Sequence, residues 1–299
     1  MANTNLQPDT MKSVYPTINA STTLKQTAKG KVMMITGAGR GIGQAIAITF
    51  AQASAAKLIL IALEESELEE SRQKVQEIKP DIQVFLRALD VRSNADLDTF
   101  VSEATAWAGN RIYVLCYNTG MNPPLVPIAS GYPDRWWMGL EVNLKGVYLF
   151  SRHVLPIMLA QGAGHIIITA SRAATRSDER MSSYQILKLA ATRLCDCIHR
   201  ENHEMGIQSF AIHPRGIVTR LLTDLETKET KPWASVAVKT IRPKLREEIS
   251  LPGNSCVLLA SGQVDFLSGR YADLTISFDC IIQEQKTIEE HDLFNKLSA

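Results

Sequence analysis

Cysteine, aromatic side chains and net charge are all scarce in this sequence. Five cysteines, at 116, 195, 197, 256 and 280, make an odd count without paired spacing. That excludes a disulfide framework and the repeated C-x2-C of a zinc knuckle, and the thiols are expected to be buried or inert. Lys plus Arg (32) nearly cancels Asp plus Glu (31), leaving +1, so nucleic acid and anionic membranes find no basic footprint. No apolar run reaches the ~18 residues of a membrane span. The six histidines form no ligand cluster; His199 and His203 share a helix face but lack the carboxylate of an H-E-x-x-H motif, and no metal site is expected. Residues 1–30 lack the apolar stretch of a secretory signal, and with Asp9 and no arginine they make a poor transit peptide. They read as a flexible N-terminal arm on a cytoplasmic protein.

What is present is a globular composition, 45% hydrophobic over 299 residues, enough to bury a substantial core. From Lys31 onward short apolar runs alternate with longer amphipathic ones. VMMI (32–35), LILIA (58–62), IQVFL (82–86), IYVLCY (112–117), HIIIT (165–169) and IQSFAIH (207–213) have strand length and little polar alternation. Helical segments are expected between them, at 42–54, 65–78, 93–108, 133–160 and 182–205. Strands apolar on both sides, alternating with helices, predict an α/β fold: one doubly wound parallel sheet with helices on both faces. No linker or repeat interrupts 31–275, so one domain is expected there. Within it, the charged stretch 219–250 with Pro232 and Pro243 follows the sixth strand. Ligands in such sheets bind beyond the carboxyl ends of strands, which makes that stretch a candidate substrate lid. Residues 276–299 read as a charged helical tail.

Behind the first apolar run stands Thr36-Gly37-Ala38-Gly39-Arg40-Gly41-Ile42-Gly43, opening a helical segment. Glycines permit a tight turn and close approach to a pyrophosphate, and a helix N-terminus offers free N–H groups and a positive dipole end. Strand before and helix after is the context that gives such a loop its value.

This loop resembles the cofactor loop of the short-chain dehydrogenase/reductase family, and further marks follow in family order over about 31–275. Asp90-Val91 resembles the pair that holds adenine. Asn118-Thr119-Gly120 is similar to the family's Asn-Ala-Gly turn, with Tyr117 and Thr119 as departures. Asn143, Ser171 and Tyr184-x-x-x-Lys188 match the catalytic positions. Pro214 to Thr219 resembles the segment that binds the nicotinamide carboxamide, with Ile217 inside it and Arg215 in place of the usual glycine, Gly216 coming next. The resemblance implies a Rossmann-like fold and a nicotinamide cofactor. Ala62 and Leu63 stand where an acid would select NAD, and Arg40 can pair with a 2′-phosphate, so the resemblance points to NADP (NADPH) rather than NAD. Glu64 is the carboxylate that would reach the ribose if the second strand ended later.

Tyr184 and Lys188 lie one helical turn apart on one face. A phenol of pKa ~10 is a poor acid–base catalyst at neutral pH, and a nearby ammonium is expected to lower that value. Tyr184 so tuned exchanges a proton with a ketone or alcohol oxygen, Ser171 polarises the same oxygen, and Asn143 resembles the family residue that holds a water linked to Lys188. Met121, Asn122, Arg172, Ala173 and 219–245 flank these positions and are expected to line the substrate site. The resulting expectation is an NADP-dependent oxidoreductase interconverting a carbonyl and a secondary alcohol on a moderately sized, largely apolar molecule. Two other readings keep the fold: an isomerase, cyclase or epimerase, and a non-catalytic nucleotide-binding protein. The C-terminal stretch through Ser268 to Asp273 is similar to reductases of fungal secondary metabolism. Apolar residues on more than one face of 133–160 and 182–205 point to a symmetric homodimer or homotetramer.

Overall fold

A computed structural model describes residues 10–223, 225, 234, 238–239, 242–245 and 247–294. Six strands fall where the apolar runs predict them: β1 Val32–Thr36, β2 Lys57–Ala62, β3 Gln83–Ala88, β4 Val114–Tyr117, β5 Gly164–Thr169 and β6 Ile207–His213. A seventh, β7 Tyr271–Asp273, completes an all-parallel sheet of order β3-β2-β1-β4-β5-β6-β7. The order reverses between β1 and β4, and a ligand crevice opens at that reversal.

The absence of polar alternation in the strands has its explanation in the packing. Met33, Ile35, Leu58, Leu60, Cys116, Ile167 and Ile212 join a core on one face. Val32, Met34, Ile59, Ile61, Leu115, Ile166 and Ile168 join a second core on the other. The first face is covered by α1 Gly41–Gln52 and α2 Glu65–Ile78, the second by α3 Asn94–Ala108. Ser93 caps α3 by accepting the Asp96 N–H, and Gly109 ends it in a left-handed turn.

The single long helix expected over 133–160 is interrupted. It runs as α4 Pro133–Leu140, a π-turn Glu141–Lys145 and α5 Gly146–Gln161. The next helix, α6 Ser182–Asn202, packs with α5 over β5 and β6. A short α7, Arg220–Thr223, begins the candidate lid, most of which lies outside the described residues; α8 Ser250–Leu259 then lies wholly buried against α1.

The described segments on either side of the sheet domain, 10–30 and 276–294, pack more than expected. Residues 10–30 are not a loose arm: Tyr15, Ile18, Leu24 and Ala28 are buried in the first core, and the Ala20 N–H donates to Asn254 Oδ1 at 2.8 Å. Residues 1–9 lie outside the described residues. Past β7, α9 Phe278–Gln283 and α10 Gln285–Glu290 bury Phe278, Ile281 and Ile288 in that same core, so the packed unit continues beyond residue 275. Single apolar residues set among threonines and lysines carry no periodicity, so neither end announces its packing in the sequence.

Candidate active site

The glycine loop after β1 is built for close approach. Gly37 (φ +64°) and Gly41 (φ +58°) take left-handed conformations that L side chains avoid. A Cβ on Gly43 would lie 2.0 Å from the Gly37 carbonyl oxygen. Ser71, from α2, is fully buried and donates to the Ala38 oxygen at 2.7 Å, with the Gly39 oxygen at 3.1 Å, which holds the loop against α2. Arg40, the N-cap of α1, makes no side-chain capping bond, so it leaves the N–H groups of the first turn uncapped, and Ile42 packs against the first core. These features fit a dinucleotide: main-chain donors at a helix start, and no room for a side chain at Gly39 or Gly43.

At the adenosine end, β2 stops at Ala62, and Glu64 is exposed as the N-cap residue of α2. Arg40 forms an ion pair with Glu67, one turn into α2, and Arg220 of α7 approaches the same carboxylate at 3.7 Å. Sequence reasoning missed Glu67, because its partners lie 27 residues upstream and in the lid. Asp90 grips Arg92, with Nη2 to Oδ2 at 2.6 Å, and that bond holds its carboxyl below the usual range. Val91 beside it is buried.

The β1 and β4 exits are joined by Thr36, whose hydroxyl accepts the N–H groups of Asn118 and Thr119, each at 3.1 Å. Asn118 Oδ1 in turn accepts the Thr169 hydroxyl at 3.2 Å, tying in β5. Gly120 faces Asn143: a Cβ there would meet Asn143 Oδ1 at 2.8 Å. Asn143 sits in the π-turn, almost fully buried, and its Nδ2 donates to Met121 O (3.0 Å) and Gly139 O (2.8 Å).

Ser171 follows β5. Its Oγ accepts the Ala173 N–H at 3.2 Å, and the Tyr184 phenol lies near enough to feel that hydroxyl. Tyr184 and Lys188 lie on the first turns of α6, with Lys188 Nζ 5.8 Å from the tyrosine ring centre and donating to Thr169 O at 2.7 Å. Here one expectation is corrected. The lysine does not lower the tyrosine's pKa in this state: burial pushes Tyr184 up, and the neighbouring Ser171 hydroxyl pulls it down in part. Burial also lowers Lys188 itself to about 8. Two groups withdrawn from water resist charging, and the lysine's nearest partner is a neutral carbonyl.

The segment after β6 keeps its left-handed turn without the usual glycine. Arg215 holds φ +78°, its guanidinium buried, with Nη2 donating to Thr275 O at 2.9 Å and Nη1 3.7 Å from Glu247. Gly216 leaves room for Leu245, whose Cδ2 would meet an added Cβ at 2.5 Å. Pro214 and Ile217 are buried, and Thr219 comes up against Gly41, so this segment touches the glycine loop. Arg172 pairs with Asp273 (3.4 Å), and its N–H donates to His213 Nδ1 (3.2 Å). His213 is thereby a neutral ring, and burial takes its pKa down to about 4. Above the cleft, Asn122 donates to Leu221 O at 2.6 Å, while Leu125, Met181, Leu222, Leu225, Ala234 and Val238 form a small apolar cluster. The described part of the lid thus lies down on the loop that follows β4.

A doubly wound parallel sheet with a glycine loop at its switch point and Ser171, Tyr184 and Lys188 gathered at its carboxyl edge defines a nicotinamide-type oxidoreductase. Comparison with known proteins makes the assignment specific. The family model for "short chain dehydrogenase" matches residues 31–230, and the chain belongs to that family. It is 34% identical over 270 residues to short chain dehydrogenase mpl6 of Monascus purpureus, covering 88% of this chain and 85% of that one. Among solved structures it superposes on 7α-hydroxysteroid dehydrogenase complexed with NADH and 7-oxo glycochenodeoxycholic acid (TM-score 0.74, 26% identity, 88% of this chain and 97% of that one). Levodione reductase gives a TM-score of 0.75 at 27% identity, over 83% of this chain and 96% of the other.

Proposed function

We propose that this protein is an NADP-dependent oxidoreductase that interconverts a ketone or aldehyde carbonyl and a secondary alcohol on a moderately sized, largely apolar molecule. The observation that carries the reading is the gathering of Ser171, Tyr184 and Lys188 at the sheet's carboxyl edge, with Lys188 one helical turn behind the tyrosine and its Nζ 5.8 Å from that ring. A bound nicotinamide would supply or accept the hydride. Tyr184 exchanges the proton with the reacting oxygen, Ser171 donates a second hydrogen bond to it, and Lys188 stands ready as the nearby cation. Asn143 braces the loop that carries Gly120 and Met121. The glycine loop, Asp90, Val91, Asn118, Gly120, Pro214, Ile217 and Thr219 are proposed to hold the dinucleotide. The apolar cluster beneath the candidate lid suits a hydrophobic substrate, and one structural neighbour is a hydroxysteroid dehydrogenase complexed with 7-oxo glycochenodeoxycholic acid while another is named levodione reductase.

The preference for NADP rests on the absence of a carboxylate at Ala62 and Leu63, together with two guanidiniums, Arg40 and Arg220, meeting one carboxylate, Glu67. A guanidinium at that end, Arg40 above all, can pair with a 2′-phosphate. The exposed Tyr148, Ile186 and Leu189 on α5 and α6 support a symmetric dimer or tetramer. No described helix is long and apolar enough to cross a membrane, and a cytoplasmic location is proposed.

Turnover tests the central claim. Tyr184→Phe keeps the ring and removes the hydroxyl, so kcat on a ketone found by NADPH-coupled screening is expected to fall by ~10²–10⁴ with nucleotide affinity unchanged. Near-normal turnover in that variant would place the chemistry elsewhere. For the cofactor, Arg40→Ala is expected to weaken NADPH by about tenfold, the worth of one charge-assisted contact, and to leave NADH nearly untouched. Tighter binding of NADH by the unsubstituted protein would overturn the NADP assignment and bring Glu67 or Glu64 forward as the ribose ligand.

A further inference from the structure

A π-turn lengthens the reach of a main-chain bond from four residues to five, and a carbonyl is left over. In this chain the Gly146 N–H donates to Glu141 O, five residues back, and so is not given to Val142 O, four back. The Val142 carbonyl is half-buried, and an acceptor left unpaired away from water costs up to roughly 1–3 kcal/mol. It is not unpaired: the hydroxyl of Tyr117, the last residue of β4, donates to it at 2.7 Å. Gly146 makes this possible, since a Cβ there would stand 2.2 Å from the Tyr117 oxygen. The ring itself is fixed edge-on against Phe150, with centroids 5.6 Å apart, and is buried. Asn143 is the next residue after Val142, and its amide already reaches back to Met121 O on the loop that β4 feeds.

We propose that Tyr117 is a positioning residue: its hydroxyl replaces the helix bond missing at Val142, sets the π-turn, and thereby aims Asn143 at the loop of Gly120 and Met121. Two links then run between the β4 exit and the π-turn, one from each side: Tyr117 to Val142 and Asn143 to Met121. The phenol is not an acid or base here. Burial raises its pKa, and its proton is committed to a carbonyl. Tyr117 and Gly146 form one device, in which the absent side chain of the glycine is the space the hydroxyl occupies.

The inference rests on Asn143 working within the proposed site, and the test separates the two. Tyr117→Phe removes the hydroxyl and keeps the ring. The amides of Gly146 and Val147 are then expected to exchange with solvent at least about tenfold faster, because the turn has lost its brace. On a ketone identified by the NADPH-coupled screen, kcat is expected to fall by roughly 10- to 100-fold, as for a small misplacement of a working group, with NADPH affinity unchanged. In an Asn143→Ala background, Tyr117→Phe is expected to cost nothing further in kcat, because the two act in series. The double variant Tyr117→Phe/Gly146→Ala refills the space with a methyl, 3.1 Å from Val91 Cγ2 and 3.2 Å from the Cζ of the retained ring, two contacts that a few tenths of an ångström of movement relieve. It is expected to recover thermal stability without recovering kcat, which a purely structural role does not permit. Unchanged exchange at Gly146 and Val147 in Tyr117→Phe would overturn the proposal even if no ketone is turned over. Additive losses in the Asn143→Ala background, or kcat restored with stability in the double variant, would overturn it while leaving the oxidoreductase reading intact.

Discussion

The two halves of the sheet solve the same problem with different materials. On the β1–β3 side the binding surface is mostly main chain: glycines with no room for a Cβ, a helix start whose N–H groups are left uncapped, and Ser71 gripping loop carbonyls from behind. On the β4–β6 side the surface is mostly side chains: Asn143 and Lys188, buried and bonded to carbonyls, with Ser171, bonded to a main-chain N–H, and Tyr184, both half-buried, beside them. A main-chain site tolerates no added atom but is indifferent to charge. A site of buried side chains accepts packing changes more readily, yet each of its groups carries a desolvation cost that pH can expose.

The sharpest break in this comparison is Gly43→Ala. The added methyl meets the Gly37 carbonyl at 2.0 Å, a main-chain clash that no rotamer relieves. Nucleotide binding is expected to be lost and stability to drop by more than ~4 kcal/mol; a folded variant binding NADPH normally, by calorimetry, would show that the main chain is not the limiting surface.

The second test exploits the charge cost on the other side. Lys188 is lowered to about 8 in the folded chain from 10.5 when unfolded. Between those values the unfolded chain holds a proton that the folded chain does not, so this group's contribution to stability rises with pH across that window. Below about 8 its cost is fully present. Lys188→Met removes the ionisation. The stability advantage of that variant in the nucleotide-free protein is therefore expected to be largest below pH 8 and to shrink towards 10.5. Urea midpoints taken across the range decide it, and a difference that does not vary with pH would mean the ammonium is not desolvated.

The smallest effect is expected at Arg215, where the side-chain half borrows a main-chain conformation. A left-handed arginine costs about 1 kcal/mol, while its one hydrogen bond, to Thr275 O, and the Glu247 carboxylate 3.7 Å from Nη1 return about 1.5–3. Arg215→Gly removes both, so a net loss of about 1 kcal/mol, or ~2–4 °C in Tm, is expected by calorimetry. A rise in Tm would show that the strain outweighs the anchors.

The same contrast governs what could be read from the sequence. Main-chain sites write themselves in consecutive letters, since the glycines that Gly37, Gly41 and Gly43 must be stand within seven residues of one another. Tyr184 and Lys188 were legible because one helical turn joins them. The six longer strands were legible because both faces of the sheet demand apolar residues. What escaped depended on distant partners. Glu67 owes its place to Arg40 and Arg220, and β7 is three residues whose partner is the edge of β6. The π-turn reads as ordinary helix in VNLKG until Tyr117 is found against it. The tyrosine's raised pKa was misjudged because spacing reveals the lysine but not how little water surrounds either group.

The buried stretch before β1 has a consequence for how the chain is made. Ala20 is held by Asn254, 234 residues later, and Tyr15 accepts the Phe278 N–H across 263. On the ribosome, a segment made before β1 must wait for Asn254 and Phe278 to emerge before these two bonds can form. Seating Tyr15 and Ala20 is therefore expected to be a late event of high contact order. Until then that stretch is a greasy thread without its far partners, a natural hold for a chaperone.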